Sequence, residues 1–318
     1  MNTPKIFITL STFAEYDAAP LDMLKDSGFQ FRINPSRRRI TASELFDLGR
    51  AATVLIAGVE IYDAEVFEQL PSLKCLSRCG AGVDNIDLVA ARKRGIAVLN
   101  TPTVPTEAVA ELTLTMVLAL CRSLPRQIRH AHRREWTRLE AHLLSGKRVG
   151  LVGLGRIGRR VAELLAPFKT TICASDPSAD SKWAEENGVT ILPFADLIAT
   201  SDVVSLHAAK SVQQPLLIGR AEFGVMKRGA LFLNLARGGL VDLEALYDAL
   251  KSGHLGGAGL DVYPEEPYQG PLCELENVVL TPHSATLTVE TRVAMEVECV
   301  DKAIRFLRGE IRPGEGVV

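Results

Sequence analysis

The sequence predicts an α/β protein made of two domains, each built on a doubly wound parallel sheet. Short apolar segments alternate with amphipathic, helix-like segments along residues 4–100, and the alternation resumes along 147–283. This pattern is typical of parallel sheets with helices on both faces. A stiff connector with two prolines, 101–106, separates the two series. A chain of 318 residues is long enough for two domains with separate cores.

The first series contains four predicted strands and two predicted helices. Runs of apolar and β-branched residues indicate the strands, and spaced apolar positions indicate the helices. The strands are 5–10, 53–57, 75–78 and 97–100, and the helices are 42–49 and 63–69. Two further helices, 107–121 and 125–136, are predicted after the connector.

The second series contains six predicted strands with helices between them. The strands are 148–152, 170–174, 202–206, 230–235, 257–262 and 278–281. The helix predicted for 242–250 shows the pattern well. Asp242 can cap its N-terminus, Leu246 and Leu250 share one face, and Gly253 can end it.

A last helix, about 288–308, has one apolar face. This face carries Val293, Val297, Val300, Ile304 and Leu307. Because the helix follows the last strand of the second series, we expect it to return and pack on the first domain. The second domain, 102–286, would then be inserted into the one formed by 1–101 and 287–318, with connections near Thr101 and Thr286.

The segment 147–158 predicts a dinucleotide site. An apolar strand leads into Gly153-x-Gly155-x-x-Gly158, and a helical pattern follows. The first glycine permits a tight turn, the second allows the backbone to approach a pyrophosphate, and the third permits close helix packing. The pyrophosphate would lie at the positive end of the helix.

Asp176 follows the next predicted strand, at the spacing of a ribose-binding carboxylate. A carboxylate there hydrogen-bonds the ribose hydroxyls and repels a 2′-phosphate, so the sequence favours NAD over NADP. The alternative is that Asp176 caps the turn Ser175-Asp176-Pro177.

Composition excludes several function classes. The chain has 36 Lys and Arg against 38 Asp and Glu, and 47% of its residues are hydrophobic. This balance gives no electrostatic surface for nucleic acid or for an anionic membrane. The most apolar long segment, 112–121, is too short to span a bilayer, and residues 1–17 lack a secretion-signal pattern. We therefore expect a cytoplasmic protein with no nucleic-acid or membrane partner.

The six cysteines lie mostly among apolar neighbours, which is typical of buried thiols in a reducing compartment. Cys75-x-x-x-Cys79 has no second pair, and His130 and His132 lie on a charged segment. We expect no metal site. The run 37–39, three arginines, is expected to be a solvated loop.

Three polar residues follow predicted strands of the second domain: Arg237, Glu266 and His283. Residues just beyond the carboxyl ends of parallel strands face the ligand crevice, so these three are expected to meet there. Each also has a plainer interpretation. Arg237 could pair with Asp242 or Asp261, Glu266 could be a turn residue, and His283 could begin a helix.

These motifs together resemble the D-isomer-specific 2-hydroxyacid dehydrogenase family along nearly the whole chain. The resemblance includes Gly-Ala-Gly-Val-Asp-Asn-Ile-Asp at 80–87, Asn-Thr-Pro at 100–102, Val-Ala-Glu at 109–111, the glycine fingerprint, and the Arg, Glu and His segments in family order. It implies a Rossmann NAD-binding domain inserted into a flavodoxin-like substrate domain. It also implies hydride transfer between NAD and a small 2-hydroxy or 2-oxo acid such as glyoxylate or hydroxypyruvate.

The same resemblance implies the roles of the site residues. His283 would be the general base in oxidation and the proton donor in reduction, and Glu266 would orient it and favour its protonated form. Arg237 would hold the substrate carboxylate and carbonyl oxygen. The loop of Gly80, Ala81 and Gly82 would cradle the substrate carboxylate with backbone N–H groups.

The cofactor contacts that the resemblance implies extend over several loops. Arg156 and Ile157 would lie at the pyrophosphate, and Asp261 at the carboxamide. The full set is Gly153, Gly155, Arg156, Ile157, Gly158, Asp176, Ala208, Leu235, Ala236, Arg237, Asp261 and His283. The chain departs from many relatives at Ala208-Ala209, where those have a proline nearby.

Three features of the sequence bear on the substrate. Phosphoglycerate dehydrogenases carry an arginine-serine pair after the strand that matches 54–57, whereas this chain has Gly58-Val59-Glu60-Ile61. A phosphate beside Glu60 would be repelled, so 3-phosphoglycerate is a weak candidate. Because the sequence ends at Val318, we expect it to lack the appended regulatory domain of some serine-pathway enzymes. Formate dehydrogenases have glutamine where this chain has Glu266.

Alternatives to the dehydrogenase remain open. Corepressors related to the family retain the same three residues and bind partners in response to NAD(H), and oxidation of a non-carboxylate such as phosphite is a further possibility. The resemblance also implies a homodimer through the NAD-binding domain, with the helices 107–121 and 125–136 at the interface.

Overall fold

The computed structural model describes residues 5–209, 216–311 and 316. The chain divides into two compact units, Met1–Pro105 with Leu287–Val318, and Thr106–Thr286. The first boundary thus lies four residues beyond the expected position at 101/102. Thr101 stays with the first unit because it is hydrogen-bonded to Gly80 in both directions. Its N–H donates to the Gly80 carbonyl at 3.1 Å, and its hydroxyl accepts from the Gly80 N–H at 2.8 Å.

The first unit contains a five-stranded parallel sheet in the order β2-β1-β3-β4-β5. The strands are β1 (Ile6–Ile8), β2 (Phe31–Ile33), β3 (Val54–Ala57), β4 (Cys75–Arg78) and β5 (Ala97–Asn100). The helices are α1 (Ala19–Asp26), α2 (Ala42–Gly49), α3 (Ala64–Gln69), α4 (Leu88–Lys93) and, from the end of the chain, α12 (Val289–Leu307). This strand order is that of flavodoxin-like sheets, and it confirms the predicted architecture.

Three elements of the first unit are absent from the predictions: β2, α1 and α4. The strand β2 has only three residues, lies at the edge of the sheet, and has no fully buried side chain. Helix α1 begins without a side-chain cap. Short or edge elements of this kind lack the apolar periodicity on which the predictions depend.

The apolar face predicted for the last helix is partly wrong. Val300 and Ile304 are buried, but Val293 and Val297 are only partly buried, and the buried face is centred on a neighbouring stripe. That stripe includes two charged residues, Arg292 and Glu296, joined at 2.7 Å. A prediction from hydropathy assigns charged residues to the solvent-exposed face of a helix. Because this helix buries an ion pair, the predicted buried face differs from the observed one.

The second unit contains a seven-stranded parallel sheet in the order β12-β11-β10-β9-β6-β7-β8. The strands are β6 (Arg148–Val152), β7 (Thr171–Ser175), β8 (Val189–Ile191), β9 (Val203–Leu206), β10 (Leu231–Asn234), β11 (Gly257–Leu260) and β12 (Val278–Leu280). The helices are α5 (Thr106–Cys121), α6 (Leu124–His132), α7 (Arg156–Leu165), α8 (Ser181–Glu186), α9 (Phe194–Thr200), α10 (Arg220–Val225) and α11 (Leu243–Lys251).

The prediction of six strands in this unit is wrong by one, because β8 is missing from it. Two of the three residues of β8 are exposed at the sheet edge. Helix α6 ends at His132 rather than near 136, and Arg134 just beyond it has a φ of +62°. The predicted cap of α11 is confirmed, since the Asp242 carboxylate accepts from the N–H groups of Glu244 and Ala245, both at 3.0 Å.

Helix α5 is the longest helix of the second unit, and eight of its sixteen residues are buried. Among residues 5–209, 216–311 and 316, no single helix is long and apolar enough to cross a membrane. Helices α5 and α6 meet that test only together, and they are bent by 67° at the break between them.

Candidate active site

The candidate site of the second unit lies where its parallel strands end. All pairings in this sheet are parallel, so the loops after β6, β7, β9, β10, β11 and β12 leave from the same edge. The predicted site residues of this unit occupy these loops or the first turn of α7. The carboxyl edge of an open α/β sheet is where ligands bind.

The three glycines of the fingerprint meet three different constraints. Gly153 has a φ of +99°, and a Cβ there would meet the backbone of His207 and Ala208 at 2.7–2.8 Å. A Cβ on Gly158 would collide with the carbonyl oxygen of Gly153. Gly155 has ordinary backbone angles and nothing within 4 Å of its Cβ position. The fold requires the first and third glycines, whereas the second leaves space for a ligand.

Helix α7 begins at Arg156, directly after Gly155, which has no side chain to cap the first turn. The N–H groups of that turn, including that of Ile157, remain available to an anion at the positive end of the helix. Asp176 lies beside the same loop. Its Oδ2 accepts from the Leu154 N–H and its Oδ1 from the Ser178 N–H, both at 2.7 Å.

The turn-cap interpretation of Asp176 is supported by its contact with Ser178, and the ribose-binding interpretation stays a prediction. The carboxylate caps its own turn through Ser178, and it also fixes the glycine loop through Leu154. The second contact places a negative charge next to the start of α7.

His207 is a residue near the glycine loop that the sequence analysis missed. Its backbone N–H donates to the Val152 carbonyl oxygen at 2.7 Å, and its ring Nε2 lies 2.9 Å from the Ser205 hydroxyl oxygen. Burial lowers the pKa of His207 to about 4, so the imidazole is neutral at pH 7. The predicted contact residue Ala208 follows it, against Gly153. A histidine at the end of a buried strand was the available signal.

His283 and Glu266 are brought together as predicted. The His283 Nδ1 lies 2.9 Å and 3.1 Å from the two carboxylate oxygens of Glu266. Glu266 is fixed in turn by the Tyr263 N–H at 3.1 Å. Both side chains are partly exposed, so Nε2 of the imidazole is free to face a ligand while Nδ1 is engaged.

The backbone of His283 is held in the left-handed region, with a φ of +53°. Asp261, whose side chain is buried, provides the restraint. Its carboxylate accepts from the Thr281 hydroxyl at 2.6 Å, the Ser284 N–H at 2.8 Å and the Ala285 N–H at 3.0 Å. Asp261, expected at the carboxamide, thus also holds the loop on both sides of the imidazole.

Arg237 lies in the loop after β10, behind the buried residues Leu235 and Ala236. Asn234 shapes this loop, because its amide donates to the Arg237 carbonyl at 2.9 Å and accepts from the Ala236 N–H at 3.1 Å. A Cβ on Gly238 would collide with the Tyr263 backbone. The loop that carries Arg237 is therefore packed against the segment that carries Glu266.

The two aspartates named in the plainer interpretation of Arg237 both make hydrogen bonds to other groups. Asp261 accepts from the 281–285 loop, and Asp242 caps α11. Asn234 and Gly238, which shape the arginine loop, were not identified from the sequence. Their signal was the Asn-x-x-Arg-Gly spacing after an apolar strand.

The loop of Gly80, Ala81 and Gly82 belongs to the first unit, after β4. Two side chains fix it: the Thr101 hydroxyl accepts from Gly80, and the Asn100 amide donates to the Ala81 carbonyl at 2.7 Å. The Gly80 N–H is thus already used, which corrects its expected role. In the described part of the chain, the N–H groups of Ala81 and Gly82 have no hydrogen-bond partner.

Comparisons with known proteins show which family the chain resembles. Residues 114–285 match the family model described as D-isomer specific 2-hydroxyacid dehydrogenase, NAD binding domain. The chain is 35% identical to a glyoxylate reductase of Korarchaeum cryptofilum over 98% of this chain and 95% of that protein. It is also 35% identical to a D-3-phosphoglycerate dehydrogenase of Archaeoglobus fulgidus, over 91% of this chain and 55% of that protein. The chain therefore spans about half the length of that dehydrogenase.

Solved structures show the same fold. A protein of Thermus thermophilus, TT0316, matches with a TM-score of 0.88 and 35% identity over 98% of this chain and 99% of that one. A D-lactate dehydrogenase of Aquifex aeolicus, crystallised with NAD and lactic acid, matches with a TM-score of 0.83 and 27% identity over 96% of each chain.

A pair of glycine variants separates the fold requirement from the ligand requirement. We expect Gly158→Ala to lower the free energy of unfolding by about 1–3 kcal/mol, because its methyl group meets backbone. Gly155→Ala should unfold at the wild-type urea concentration, yet bind NADH at least about tenfold more weakly. Urea unfolding and NADH fluorescence titration measure the two effects. Wild-type NADH affinity in Gly155→Ala would contradict the assignment.

A second prediction concerns the restraint on His283. Asp261→Asn places an amide NH₂ against an N–H or O–H donor of the loop, so we expect a loss of about 1–3 kcal/mol in stability and a fall in kcat at saturating NADH. Asp248→Asn, on the exposed face of α11, is the matched control. If Asp261→Asn weakens NADH binding but leaves kcat at saturation unchanged, the positioning role is wrong.

Proposed function

The chain belongs to the D-isomer-specific 2-hydroxyacid dehydrogenase family, and we propose that it transfers a hydride between NAD(H) and a small D-2-hydroxy or 2-oxo acid. The observation that carries the proposal is the His283–Glu266 pair at 2.9 Å, at the carboxyl edge of a sheet whose glycine loop leaves space for a pyrophosphate. A dehydrogenase of hydroxy acids needs both features, one for the proton and one for the hydride carrier.

The residues of the second unit divide the chemistry among them. The nicotinamide, when bound, supplies or accepts the hydride. In reduction of a 2-oxo acid, His283 donates a proton from Nε2 to the carbonyl oxygen, and in oxidation it removes that proton. Glu266, on Nδ1, stabilises the positive charge of the protonated imidazole and fixes the ring orientation. Positioned proton transfer of this kind contributes about 10²- to 10⁴-fold in rate.

Arg237 binds the substrate in this proposal. A guanidinium offers directed, charge-assisted hydrogen bonds to a carboxylate and to a carbonyl oxygen, each contributing about 1.5–3 kcal/mol. Its loop is held by Asn234 and by close packing of Gly238, which limits the entropy lost on binding. In the first unit, the N–H groups of Ala81 and Gly82 are proposed to be able to bind an anion such as a carboxylate.

We propose NAD(H) rather than NADP(H) as the cofactor. Asp176 supports this choice, because its carboxylate is anchored beside the first turn of α7 by the Leu154 N–H. A negative charge at this position accepts hydrogen bonds from ribose hydroxyls and repels a 2′-phosphate. The proposed substrates are glyoxylate, hydroxypyruvate and similar unphosphorylated acids, because Glu60 lies in the segment where phosphoglycerate dehydrogenases carry an arginine-serine pair, and its charge would repel a phosphate.

The proposed assembly is a homodimer through α5, α6 and the segment that follows them. This part of the second unit carries apolar side chains in water: Ile128 is 54% exposed, Trp136 93% and Leu143 73%. Large exposed apolar residues near one another along the chain are typical of an interface. The free cysteines, five of them buried, support a reducing compartment such as the cytoplasm.

The proposed activity is tested by NADH consumption across a panel of 2-oxo acids. We expect turnover of glyoxylate or hydroxypyruvate, with NADPH a poorer donor. His283→Ala should lower kcat by at least about 10²-fold, and Arg237→Ala should lower kcat/KM by about 10- to 150-fold. The control is Arg228→Ala, which removes a positive charge from an exposed residue before β10 and should leave kcat/KM unchanged.

If the wild type consumes no NADH with any acid, or if the His283 and Arg237 variants are as fast as the wild type, the activity is wrong. An NADH-dependent protein partner captured together with negligible turnover would favour the corepressor-like alternative.

The dimer is tested by light scattering after size exclusion. We expect the wild type to have twice the mass of one chain. Trp136→Ala should shift it toward the monomer, because a large apolar contact is lost. Val89→Ala, an 80% exposed residue of the first unit, is the matched control. A monomeric wild type would contradict the proposal.

A further inference from the structure

Tyr263 lies where the three loops that carry Arg237, Glu266 and His283 come together. It follows β11 and is 9% exposed. Its main chain contacts the arginine loop, because a Cβ on Gly238, next to Arg237, would overlap the Tyr263 carbonyl. Its main chain also begins the segment that presents Glu266, and its side chain reaches the strand that leads to His283. One buried residue therefore contacts all three loops.

The Glu266–His283 pair needs support from its surroundings. The side chain of Glu266 is 38% exposed and that of His283 is 50% exposed. Ion pairs between exposed groups contribute little, because water competes for both partners. Catalytic groups must be held to within about 0.5 Å of the productive geometry. The restraint on this pair must therefore come from buried neighbours.

The main chain and the ring of Tyr263 restrain the carboxylate. The Tyr263 N–H donates to Glu266 Oε1 at 3.1 Å, and the same oxygen lies 3.1 Å from His283 Nδ1. The Tyr263 ring stacks on that of Tyr268, with the centroids 4.7 Å apart and the planes 13° from parallel. The Tyr268 hydroxyl accepts from the Leu272 N–H at 3.4 Å. Glu266 lies in the chain between the two stacked tyrosines, so the stack fixes both ends of its segment.

The hydroxyl of Tyr263 restrains the backbone of His283. The hydroxyl oxygen lies 3.1 Å from the carbonyl oxygens of Leu260 and Thr281, at the ends of the neighbouring strands β11 and β12. The Thr281 carbonyl also accepts from the His283 N–H at 3.0 Å. One carbonyl thus links the phenol to the backbone that carries the imidazole. Burial raises the pKa of Tyr263, so the phenol keeps its proton and acts as the donor.

On the basis of the function proposed above, we propose that Tyr263 is a positioning residue for proton transfer. Its N–H and its hydroxyl together set the distance and direction between the Glu266 carboxylate and the His283 imidazole. His283 has a φ of +53°, a conformation that needs support from its neighbours. Tyr263 acts through the imidazole, so its loss should slow the chemical step and leave cofactor binding unchanged.

The first test is Tyr263→Phe, which removes the hydroxyl but keeps the ring, the stack and the N–H. We expect kcat at saturating NADH and 2-oxo acid to fall about 3- to 10-fold, the effect of one hydrogen bond, with NADH affinity within about twofold of the wild type. The matched control is Tyr247→Phe on α11, whose ring faces the Lys251 ammonium at 5.1 Å. It should change neither quantity. An unchanged kcat in Tyr263→Phe, or a loss of NADH affinity alone, would overturn the proposal.

A double-mutant cycle with His283→Ala distinguishes positioning from a general loosening of the site. If Tyr263 acts through the imidazole, the residual kcat of His283→Ala should be the same with Tyr or Phe at position 263. If Tyr263→Phe lowers this residual kcat by the same factor as it lowers that of the wild type, its role is structural and the proposal is wrong.

A spectroscopic measurement separates the restraint from the proposed activity. In NMR spectra of protein labelled with ¹⁵N-histidine, the wild type should show a signal of the His283 Nδ1 proton that is absent from His283→Ala. Exchange with water should remove the corresponding signal of the exposed His132. Tyr263→Phe should broaden or abolish the His283 signal.

A wild type that shows the protected His283 proton, loses it in Tyr263→Phe and consumes no NADH with any acid would disprove the activity and keep the restraint. A His283 proton that exchanges as fast as that of His132 in the wild type, or that Tyr263→Phe leaves unchanged, would disprove the restraint even in an active enzyme.

Discussion

Parallel strand pairing is the constraint on which the rest of this molecule depends. Because all pairings between the strands of both sheets are parallel, every strand delivers its following loop to the same edge. Residues as distant in sequence as Gly155, Arg237 and His283 therefore share one edge in the second unit. Thr9, Glu60 and the Gly80 loop share one in the first. A polar residue placed just after an apolar strand is therefore enough to bring its side chain to the edge of the sheet where ligands bind.

The sequence predicted the elements whose apolar pattern is strong and missed those whose pattern is weak. The buried strands β3, β6 and β9 were found because all or nearly all of their residues are apolar and buried. The edge strands β2 and β8 escaped because half-exposed residues carry little periodicity. The orientation of α12 was mistaken for a different reason, since Arg292 and Glu296 satisfy each other inside the unit.

The site was predictable to the extent that single residues carry recognisable chemistry. The glycine loop and the contact of His283 with Glu266 follow from motifs. The supporting contacts do not, because they depend on backbone directions that no spacing reveals. Asp261 reaches N–H groups more than twenty residues away, and Thr101 takes the N–H that was expected to face the substrate. Glu60 was noticed for its charge, but its contacts with the Gly58 N–H and the Tyr62 hydroxyl are visible only in the fold.

The first unit is formed by two separate segments of the chain, and this affects how it folds during translation. One face of its sheet is completed by Met295, Cys299, Val300 and Ala303 of α12, which pack with Ile8, Val54 and Cys75. When residue 105 leaves the exit tunnel, that face lacks the part of its cover that α12 supplies, and it stays incomplete while the whole second unit is translated. The second unit is a single segment of the chain, so it can fold before the first unit is complete. During that interval the nascent chain exposes apolar side chains of the sheet, and exposed apolar surface of this kind is what chaperones bind.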